Sequence, residues 1–428
     1  MSNYPTLLRK RLLSKVHALE RSVYVKNPTK DFTRKRKLPF AAVVQQLVSM
    51  GGNTIYKELL EASGYEKDVA TSSAFVQQRS KILPTAFLQL LRDFAPTRME
   101  VKRYKGYRLL AVDGSDLVIS NDSSDFETLQ KNQHSTFNLL HLNALYNLTN
   151  RVYLDAELQA HRQSNERQAL CDMVKRSPVV GKAILLADRG YESYNCFDHI
   201  SKKGWNYVIR VKDIHSNGIL SGLTLSDDEF DVTVHRLLTR RQTLVTKSDL
   251  YRFMPANQIF DALPVGSKEA YPFSFRVVRF KLDNGEFACV ITNLHDFSPA
   301  RLKALYAKRW GIETSFRTLK HTIGLVNFHA KKRELIAQEV FARLVMYNFC
   351  ELITAHVVIS QPGGKYIYHV NFTVAVHVCR RFLRPWGNAP PLDVEALISK
   401  NITPIKPNRI FRRRSHAKPA TSFTYRIA

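Results

Sequence analysis

Apolar residues recur at helical spacing in the first hundred residues of the chain. Residues 40–62 keep this spacing except at Gly51 and Gly52, which predicts two short helices around a turn, as in a helix-turn-helix unit. One further helix is predicted after Ser72 and Ser73. On pattern alone, a plain helical bundle is an equally good interpretation of this region.

From residue 107 the pattern changes to short apolar strands. Strands are predicted at 108–112, 139–148, 152–158 and 182–187, with a helix at 165–175. Further alternating and β-branched segments lie at 206–211, 230–234, 273–282 and 287–292. They predict a mostly β insertion between about residues 205 and 295. The segment 298–308 then leads into a helix over 306–320, and a long apolar helix is predicted over 334–357.

The predicted helix over 306–320 has an uneven charged face. At about 100° per residue, one stripe roughly 80° wide contains Tyr306, Arg309, Glu313, Arg317 and Lys320. Pairing of Arg309 with Glu313 one turn away explains part of this stripe. Solvated faces usually mix charges more evenly, however. Three cations around one carboxylate fit a site where a metal-bound carboxylate meets a polyphosphate.

Composition adds a strong charge imbalance to this picture. The chain of 428 residues has 44% hydrophobic residues, so two or three globular domains are expected. Its 64 Lys and Arg against 37 Asp and Glu give a net charge of +27, for which nucleic acid is the simplest partner. A membrane-surface protein would need an amphipathic or lipid anchor, and neither is evident. No apolar run reaches membrane-spanning length, so a cytoplasmic, nucleoid-associated protein is expected.

Basic residues are concentrated at both ends of the chain. Residues 1–40 contain eleven Lys and Arg, including Arg34, Lys35, Arg36 and Lys37. From Lys406 onward the chain has seven basic residues and no acid, which predicts a tail that binds nucleic acid. The basic N-terminal arm favours DNA binding over a plain bundle for the helices that follow it.

The five cysteines do not point to a metal site. They stand far apart with no Cys-x-x-Cys pair, so buried reduced thiols are expected rather than zinc ligands or disulfides. No Walker-type phosphate loop occurs either, and ATP is not implicated.

Two predicted strands end in an aspartate followed by small or turn-forming residues. These are Asp113-Gly114 and Asp188-Arg189-Gly190. A single Asp at a strand end is most often a turn or cap residue. The order of strand with Asp, two strands, helix, strand with Asp and helix with Glu313 is, however, the layout of a ribonuclease-H-like fold. Adjacent strands would place Asp113 beside Asp188, with Glu313 above them. Three carboxylates without His or Cys favour Mg²⁺ or Mn²⁺, and two such ions can cut a phosphodiester in line.

These residues match a known family. The chain resembles the DDE transposases of bacterial insertion sequences, specifically the insertion-sequence-four type. That type has a Tyr-Arg-Glu-Lys signature, spaced as Tyr306, Arg309, Glu313 and Lys320 are here. The Asp113-Gly-Ser context, the Asp-Arg-Gly-Tyr block from Asp188 and the β-rich insertion match as well. The resemblance covers roughly residues 35–350.

The resemblance implies a site and a reaction. Asp113, Asp188 and Glu313 would form a catalytic triad that binds two Mg²⁺ or Mn²⁺ ions. Phosphates near the transposon end would be held by Tyr306, Arg309 and Lys320. Further candidates for DNA contact are Arg189, Arg317, Arg34, Lys35, Arg36 and Lys37. The enzyme would bind the terminal inverted repeats as a homodimer on double-stranded DNA and move the element by cut-and-paste cleavage and strand transfer.

Several alternatives stay open. The chain fits a domesticated DNA-binding protein without activity, or a nuclease of the same fold that does not join ends. If excision uses a hairpin, an aromatic residue must hold a flipped base, and the candidates are Trp205, Tyr251, Phe253, Tyr271, Phe273, Phe275 and Phe287. Core packing is the ordinary role for most of them. Near the two aspartates, Asp116, Asp122 and Asp125 are predicted in a polar loop, and His161 and Glu166 are expected to cap a helix or line the site.

The predicted architecture is α/β with four parts. They are an N-terminal helical DNA-binding region with a basic arm (1–105), a ribonuclease-H-like catalytic core (106–204 and 296–330), a β-rich insertion (205–295), and a C-terminal helical region with a basic tail (331–428).

Overall fold

The computed structural model describes residues 4–96, 101–133, 135–359, 361, 366–385 and 392–405. The predicted basic tail from Lys406 lies outside the described residues. In the described part of the chain, no helix is long and apolar enough to cross a membrane.

Among the described residues, six α-helices precede the first strand. They are α1 (Tyr4–Ala18), α2 (Arg21–Tyr24), α3 (Phe40–Ser49), α4 (Ile55–Ser63), α5 (Ser72–Arg79) and α6 (Thr85–Phe94). The two short helices predicted around Gly51 and Gly52 are confirmed as α3 and α4. The single helix predicted after Ser72 is wrong, because the chain forms α5 and α6 instead. Pro84 separates them, since a proline disfavours helical backbone in the residue before it and is well suited to begin a new helix.

The basic N-terminal segment is partly helical. Its residues Tyr4–Ala18 form the packed helix α1, in which Leu8, Leu12 and Val16 are buried. Two of its arginines reach main-chain carbonyl groups of other elements. Arg11 Nη2 donates to the Ala95 carbonyl at 2.7 Å. Arg9 Nη2 donates to the Arg384 carbonyl at 3.3 Å.

Ten strands form one large mixed sheet. They are β1 (Arg108–Ile119), β2 (Leu129–Lys131), β3 (Thr136–Asn147), β4 (Val152–Ala160), β5 (Ala183–Ala187), β6 (Asn206–Val211), β7 (Phe230–Thr239), β8 (Tyr251–Phe253), β9 (Ala270–Lys281) and β10 (Phe287–Thr292). The strand order is β2-β3-β1-β5-β6-β10-β9-β7-β8, with β4 paired to β3. β1 is antiparallel to β3 and parallel to β5, and β5 is parallel to β6.

Three helices connect these strands. They are α7 (Glu166–Arg176), α8 (Tyr194–Lys202) and the short α9 (Gln242–Val245). α7 joins β4 to β5 and packs on β1, β3 and β4, while α8 joins β5 to β6. The strands predicted as an insertion do not form a sheet of their own. β10 and β9 continue the sheet directly from β6, because β10 pairs with β6 over Cys289–Thr292. The domain boundaries themselves stay a prediction.

The helix predicted over 306–320 consists of two helices. α10 (Pro299–Ala307) ends before the joint, and α11 (Trp310–His321) begins after it. Lys308 and Arg309 keep right-handed helical backbone, but the hydrogen bonds across the joint span three residues, as from Arg309 N to the Tyr306 carbonyl. The prediction of a single charged stripe on one helix is therefore wrong, since Tyr306 and Glu313 lie on different helices. At Gly311 an added Cβ would lie 2.8 Å from the Leu148 side chain, so a glycine lets α11 begin close to the β3–β4 turn.

The remaining elements belong to the C-terminal part. They are α12 (Arg333–Thr354), β11 (Ile367–Val370), α13 (Phe372–Leu383), α14 (Val394–Ser399) and β12 (Ile402–Ile405). α12 is buried along nearly its whole length and packs against α3, α6 and β4. The N-terminal and C-terminal helices therefore share one hydrophobic core with one face of the sheet.

Candidate active site

β1 loses one of its two neighbours after the first third of its length. Its parallel pairing with β5 ends at Ala111, whereas its antiparallel pairing with β3 continues to Ile119. Asp113 lies just beyond the last residue paired to β5 and stands opposite Ala144. The predicted end of this strand at residue 112 is therefore wrong. Asp113 is held inside a strand, at the place where the sheet opens.

Asp188 directly follows β5 on the open side of that gap. Its Oδ1 accepts a hydrogen bond from the Gly190 amide at 2.8 Å and caps a 3₁₀ turn over Arg189–Tyr191. The turn-capping role of an aspartate at a strand end is thus present. The carboxylate is also close enough to Asp113 to raise the pKa of that residue.

Glu313 comes from the first turn of α11, which packs on β1. Its Oε1 accepts a hydrogen bond from Nη2 of Arg309 at 2.5 Å, and Nη1 of the same arginine lies 3.5 Å from Oδ2 of Asp113. One guanidinium group therefore bridges the carboxylate on the strand and the carboxylate on the helix. The expected pairing of Arg309 with Glu313 is confirmed.

The electrostatics of Asp113 reflect this crowding. Burial raises the pKa of Asp113 to about 6, and the negative charges of Asp188 and Glu313 contribute, while Arg309 opposes the rise. The side chain of Asp113 is 17% exposed. The three predicted carboxylates therefore interact in one half-buried place. Their catalytic role stays a prediction.

The residues predicted to contact phosphate lie around the three carboxylates and differ in their exposure and in their contacts. The Tyr306 ring is half-buried, with its centroid 5.8 Å from Cζ of Arg309. Nζ of Lys320 donates to the Asp116 carbonyl oxygen at 2.8 Å, which fastens α11 to β1. Arg317 and Arg189 are exposed.

The predicted N-terminal contacts lie in the loop before α3. The four basic residues predicted to contact DNA are all exposed: Arg34, Lys35, Arg36 and Lys37. Lys37 forms an ion pair with Asp68, in the segment after α4. Contact of this loop with DNA stays a prediction.

A second group of side chains lies beside the carboxylates, and we call it the His141 cluster. It consists of Asp116, His141, His161 and Glu166. Asp116 and His141 are direct cross-strand partners on β1 and β3, with Oδ1 and Nδ1 2.7 Å apart. Nδ1 of His161 is 3.1 Å from the same oxygen of Asp116. On the other side of the imidazole, Nε2 of His141 is 2.9 Å from Oε1 of Glu166.

Part of this cluster corrects the sequence-based prediction. Asp116 lies in β1, not in a polar loop, because the pairing with β3 continues past it. Asp122 and Asp125 are in the loop as predicted, where Asp122 accepts a hydrogen bond from Ser124. His161 begins a 3₁₀ turn after β4 and Glu166 begins α7.

His141 was not among the site residues predicted from the sequence. It is one of the few polar residues in an apolar strand, and a polar residue inside such a run was the available signal. Burial lowers the pKa of His141, but its hydrogen bonds to Asp116 and Glu166 outweigh that effect and raise the pKa to about 9.

Two glycines permit the close approach of these groups. A Cβ added to Gly114 would lie 2.3 Å from Oε1 of Glu166 and 2.4 Å from Nε2 of His141. A Cβ added to Gly190 would lie 3.1 Å from both Oδ1 of Asp188 and Oε2 of Glu166. Glu166 therefore borders the Asp188 carboxylate as well as His141, which connects the His141 cluster to the candidate triad.

Most aromatic candidates for holding a flipped base have structural contacts. Trp205, Phe273 and Phe275 are buried, and the Tyr271 hydroxyl donates to Asp198 at 2.7 Å. The Phe287 ring lies 3.9 Å from Cζ of Arg279. Tyr251 and Phe253 are half-buried on β8.

Comparison with known proteins identifies a matching family, and the individual matches include a curated protein and a solved structure. The family described as a transposase DDE domain matches residues 104–349. A probable transposase for insertion sequence element IS5377 of Geobacillus stearothermophilus is 23% identical over 167 residues, or 38% of this chain and 37% of the relative. The match thus spans little more than a third of that relative's length. A solved piggyBac transposase synaptic complex with hairpin DNA has 12% identity and a TM-score of 0.42, with 93% of this chain and 82% of that chain covered.

Proposed function

The chain belongs to the transposase DDE domain family, and on this premise we propose that it is a transposase of the insertion-sequence-four type. In this proposal it binds the terminal inverted repeats of an insertion sequence. It then catalyses Mg²⁺-dependent DNA cleavage and strand transfer. Asp113, Asp188 and Glu313 are the proposed catalytic residues.

One observation carries the proposal. Carboxylates from a strand, a strand end and a helix interact at the gap where β1 leaves β5, and burial and charge raise the pKa of Asp113 to about 6. A site built only for stability would not gather three acids where their repulsion costs free energy. Divalent cations would remove that repulsion.

The donor set fits the proposed ions. Asp113, Asp188 and Glu313 offer oxygen ligands, as Mg²⁺ and Mn²⁺ prefer. When bound, two such ions supply Lewis-acid activation of the attacking oxygen and charge stabilisation of the leaving oxygen. The guanidinium group of Arg309 already lies between Asp113 and Glu313, so these two carboxylates already interact with one positive charge.

The cationic residues around the triad support a phosphate-holding role. Arg309 lies at the carboxylates, and the Lys320 side chain reaches β1 three residues beyond Asp113. Arg189 and Arg317 are exposed and available to a DNA backbone. With a net charge of +27, the whole chain attracts a polyanion.

The strand arrangement supports a ribonuclease-H-like core for this reaction. β4, β3, β1, β5 and β6 are neighbours in that order, with the first three antiparallel and the last three parallel. α7 and α8 connect the parallel part. Two transposon ends must meet for cut-and-paste transposition, so we include a homodimer and a place at the nucleoid in the proposal.

The test uses the purified full chain with DNA carrying the inverted repeats that flank its gene. With Mg²⁺ the wild type should cut at the repeat tips. Asp113→Asn, Asp188→Asn and Glu313→Gln should each slow cutting by more than about 100-fold while end binding is retained. Asp93→Asn is the matched control, because Asp93 is an exposed carboxylate on α6, and it should cut at the wild-type rate.

The same assay separates the alternatives. Joining of the cut ends to a target plasmid supports a transposase, whereas cutting without joining indicates a nuclease. Specific end binding without any cutting by the wild type indicates a domesticated DNA-binding protein. Normal cutting by any of the three triad variants would refute the assigned site.

A further inference from the structure

Within the His141 cluster, Asp116, His141 and His161 bring two imidazoles and a carboxylate together from three neighbouring segments. The β1–β3 register places Asp116 opposite His141, and the β3–β4 register places His141 opposite Gln159. His161 follows Gln159 by two residues, so it continues the same face beyond the end of β4. In the described part of the chain, this is the one group of three or more His, Cys, Asp or Glu residues whose ligand atoms all lie within 4.8 Å of one another.

The orientation of His141 is typical of a metal ligand. Its Nε2 faces Glu166 at 2.9 Å, and a metal-bound histidine usually donates its other ring N–H to a carboxylate in this way. Its Nδ1 then points at Asp116 and toward His161. A divalent cation in place of the Nδ1 proton would be ligated by the Nδ1 lone pair and by the Asp116 carboxylate.

We propose that Asp116, His141 and His161 bind a divalent transition metal of the Zn²⁺ class, at a site separate from the carboxylate triad. Two imidazoles and one carboxylate favour Zn²⁺ or Co²⁺ over Mg²⁺, which prefers oxygen ligands alone. Glu166 is the positioning residue that orients His141.

The proposed metal would join three segments next to the triad. It would link β1, β3 and the 3₁₀ turn after β4, and Glu166 would hold α7 to the same group. Asp116 is three residues from Asp113 on one strand, and Glu166 borders Asp188. The metal would therefore fix the backbone that presents both aspartates.

The test measures Co²⁺ binding by the full chain in excess Mg²⁺, after chelator treatment. Visible absorption reports coordination, and equilibrium dialysis counts the metal. The wild type should bind one Co²⁺ that Zn²⁺ displaces. His161→Ala should weaken Co²⁺ binding by more than about 100-fold, and Glu166→Gln by about 10-fold to 100-fold. His161 suits the first substitution because it lies on a half-exposed turn, and circular dichroism verifies that each variant folds.

His199→Ala is the matched control. Nε2 of His199 lies 2.7 Å from Oδ2 of Asp261, so this pair repeats the His–carboxylate contact without belonging to a three-ligand group among the described residues. It should bind Co²⁺ like the wild type. Equal Co²⁺ binding by His161→Ala and wild type would overturn the proposal, as would loss of Co²⁺ only in Asp113→Asn or Glu313→Gln. Absence of Co²⁺ binding, with both ring nitrogens of His141 protonated in ¹⁵N spectra, would identify a hydrogen-bonded imidazolium instead.

Discussion

Arg309, at the joint between α10 and α11, lies 3.5 Å from Asp113 on β1. Its other terminal nitrogen donates to Glu313. The side chain of Arg309 is only 13% exposed, so its charge acts on these carboxylates with little screening by water. Arg309 thus occupies a position where a metal-bound triad and a DNA phosphate would both interact with it.

Arg309→Gln should increase the affinity of the triad for divalent cations. The substitution removes a positive charge beside Asp113 and Glu313, and about 1.4 kcal/mol less repulsion corresponds to tenfold tighter binding. We expect an increase of several-fold to about tenfold in Mn²⁺ affinity, measured by titration calorimetry at fixed ionic strength. Binding to transposon-end DNA should weaken at the same time, with a lower salt dependence.

Arg317→Gln is the matched control for this experiment. It makes the same charge change on α11, but at an exposed position. Its Mn²⁺ affinity should stay near the wild-type value. If Arg309→Gln weakened Mn²⁺ binding instead, the arginine would be needed to hold the carboxylates in place and would not compete with the metal.

Asp113→Asn should stabilise the metal-free protein at neutral pH. Burial and neighbouring acids raise the pKa of Asp113 in the folded state to about 6, above its ordinary value of 3.8. The stability that this group contributes is therefore present below about pH 4 and is lost as the pH rises through 6. At pH 7.5 the substitution should raise the free energy of unfolding by up to about 3 kcal/mol, measured by urea denaturation.

Metal addition should make the wild type more stable than Asp113→Asn. Mg²⁺ or Mn²⁺ should raise the melting temperature of the wild type, because a ligand that binds only the folded state stabilises it. The gain should be much smaller in Asp113→Asn. In Asp93→Asn, where the carboxylate is exposed, stability should change by no more than about 0.5 kcal/mol and the response to metal should be kept. If the metal-free Asp113→Asn protein were less stable than the wild type, the Asp113 charge would not be destabilising in the folded state.

The sequence predicted several elements around the triad closely because their patterns are local. β6 and β10 were predicted with the observed bounds, and β5 and α7 within one residue at each end. The extent of β1 was missed because a strand that passes through Asp113 and Gly114 depends on pairing with β3. The joint before α11 was missed as well, because Lys308 and Arg309 are not helix-breaking residues and nothing local marks the joint.

The His141 cluster shows what sequence spacing cannot reveal. Asp116 and His141 are neighbours only because of the β1–β3 register, and a shift of one residue would place them on opposite faces. Glu166 reaches His141 because α7 packs on the sheet at this point. These relationships are long-range, so the sequence alone predicted ordinary roles for Asp116, His161 and Glu166 and no role for His141.

Gly114→Ala should disrupt the contact between Glu166 and His141. The new Cβ would lie 2.3 Å from Oε1 of Glu166 and 2.4 Å from Nε2 of His141, so both side chains must move. We expect a loss of about 1–3 kcal/mol in the free energy of unfolding, measured by urea denaturation. A double-mutant cycle with Glu166→Ala provides the control, because removing one of the two obstructing groups should make the combined cost smaller than the sum. Strict additivity would show that Gly114 is required for another reason.

Glu339 on α12 is the centre of a buried ion network that joins the helical part of the protein. Its Oε1 pairs with Nη1 of Arg79 on α5 at 3.0 Å, and its Oε2 lies 3.3 Å from Nη2 of Arg343 and 3.1 Å from Nδ1 of His329. All four side chains are at most 4% exposed. Burial raises the pKa of Glu339, but the positive charge of Arg79 and the other partners outweigh it and lower the pKa to about 2.

Glu339→Gln should therefore destabilise the protein by about 3–5 kcal/mol, since it leaves buried arginines without a counter-charge. Because the folded pKa lies below the ordinary value of 4.5, the wild type should lose this stability as the pH falls from about 4.5 towards 2, and the variant should show a flatter profile in that range. Urea denaturation at several pH values measures both effects. Glu334→Gln is the matched control on the same helix, because Glu334 pairs with Lys26 at a 37% exposed position and should contribute no more than about 1 kcal/mol. Equal losses in the two variants would mean that the buried network adds no more than a surface pair, and that apolar packing alone holds α12 against α5.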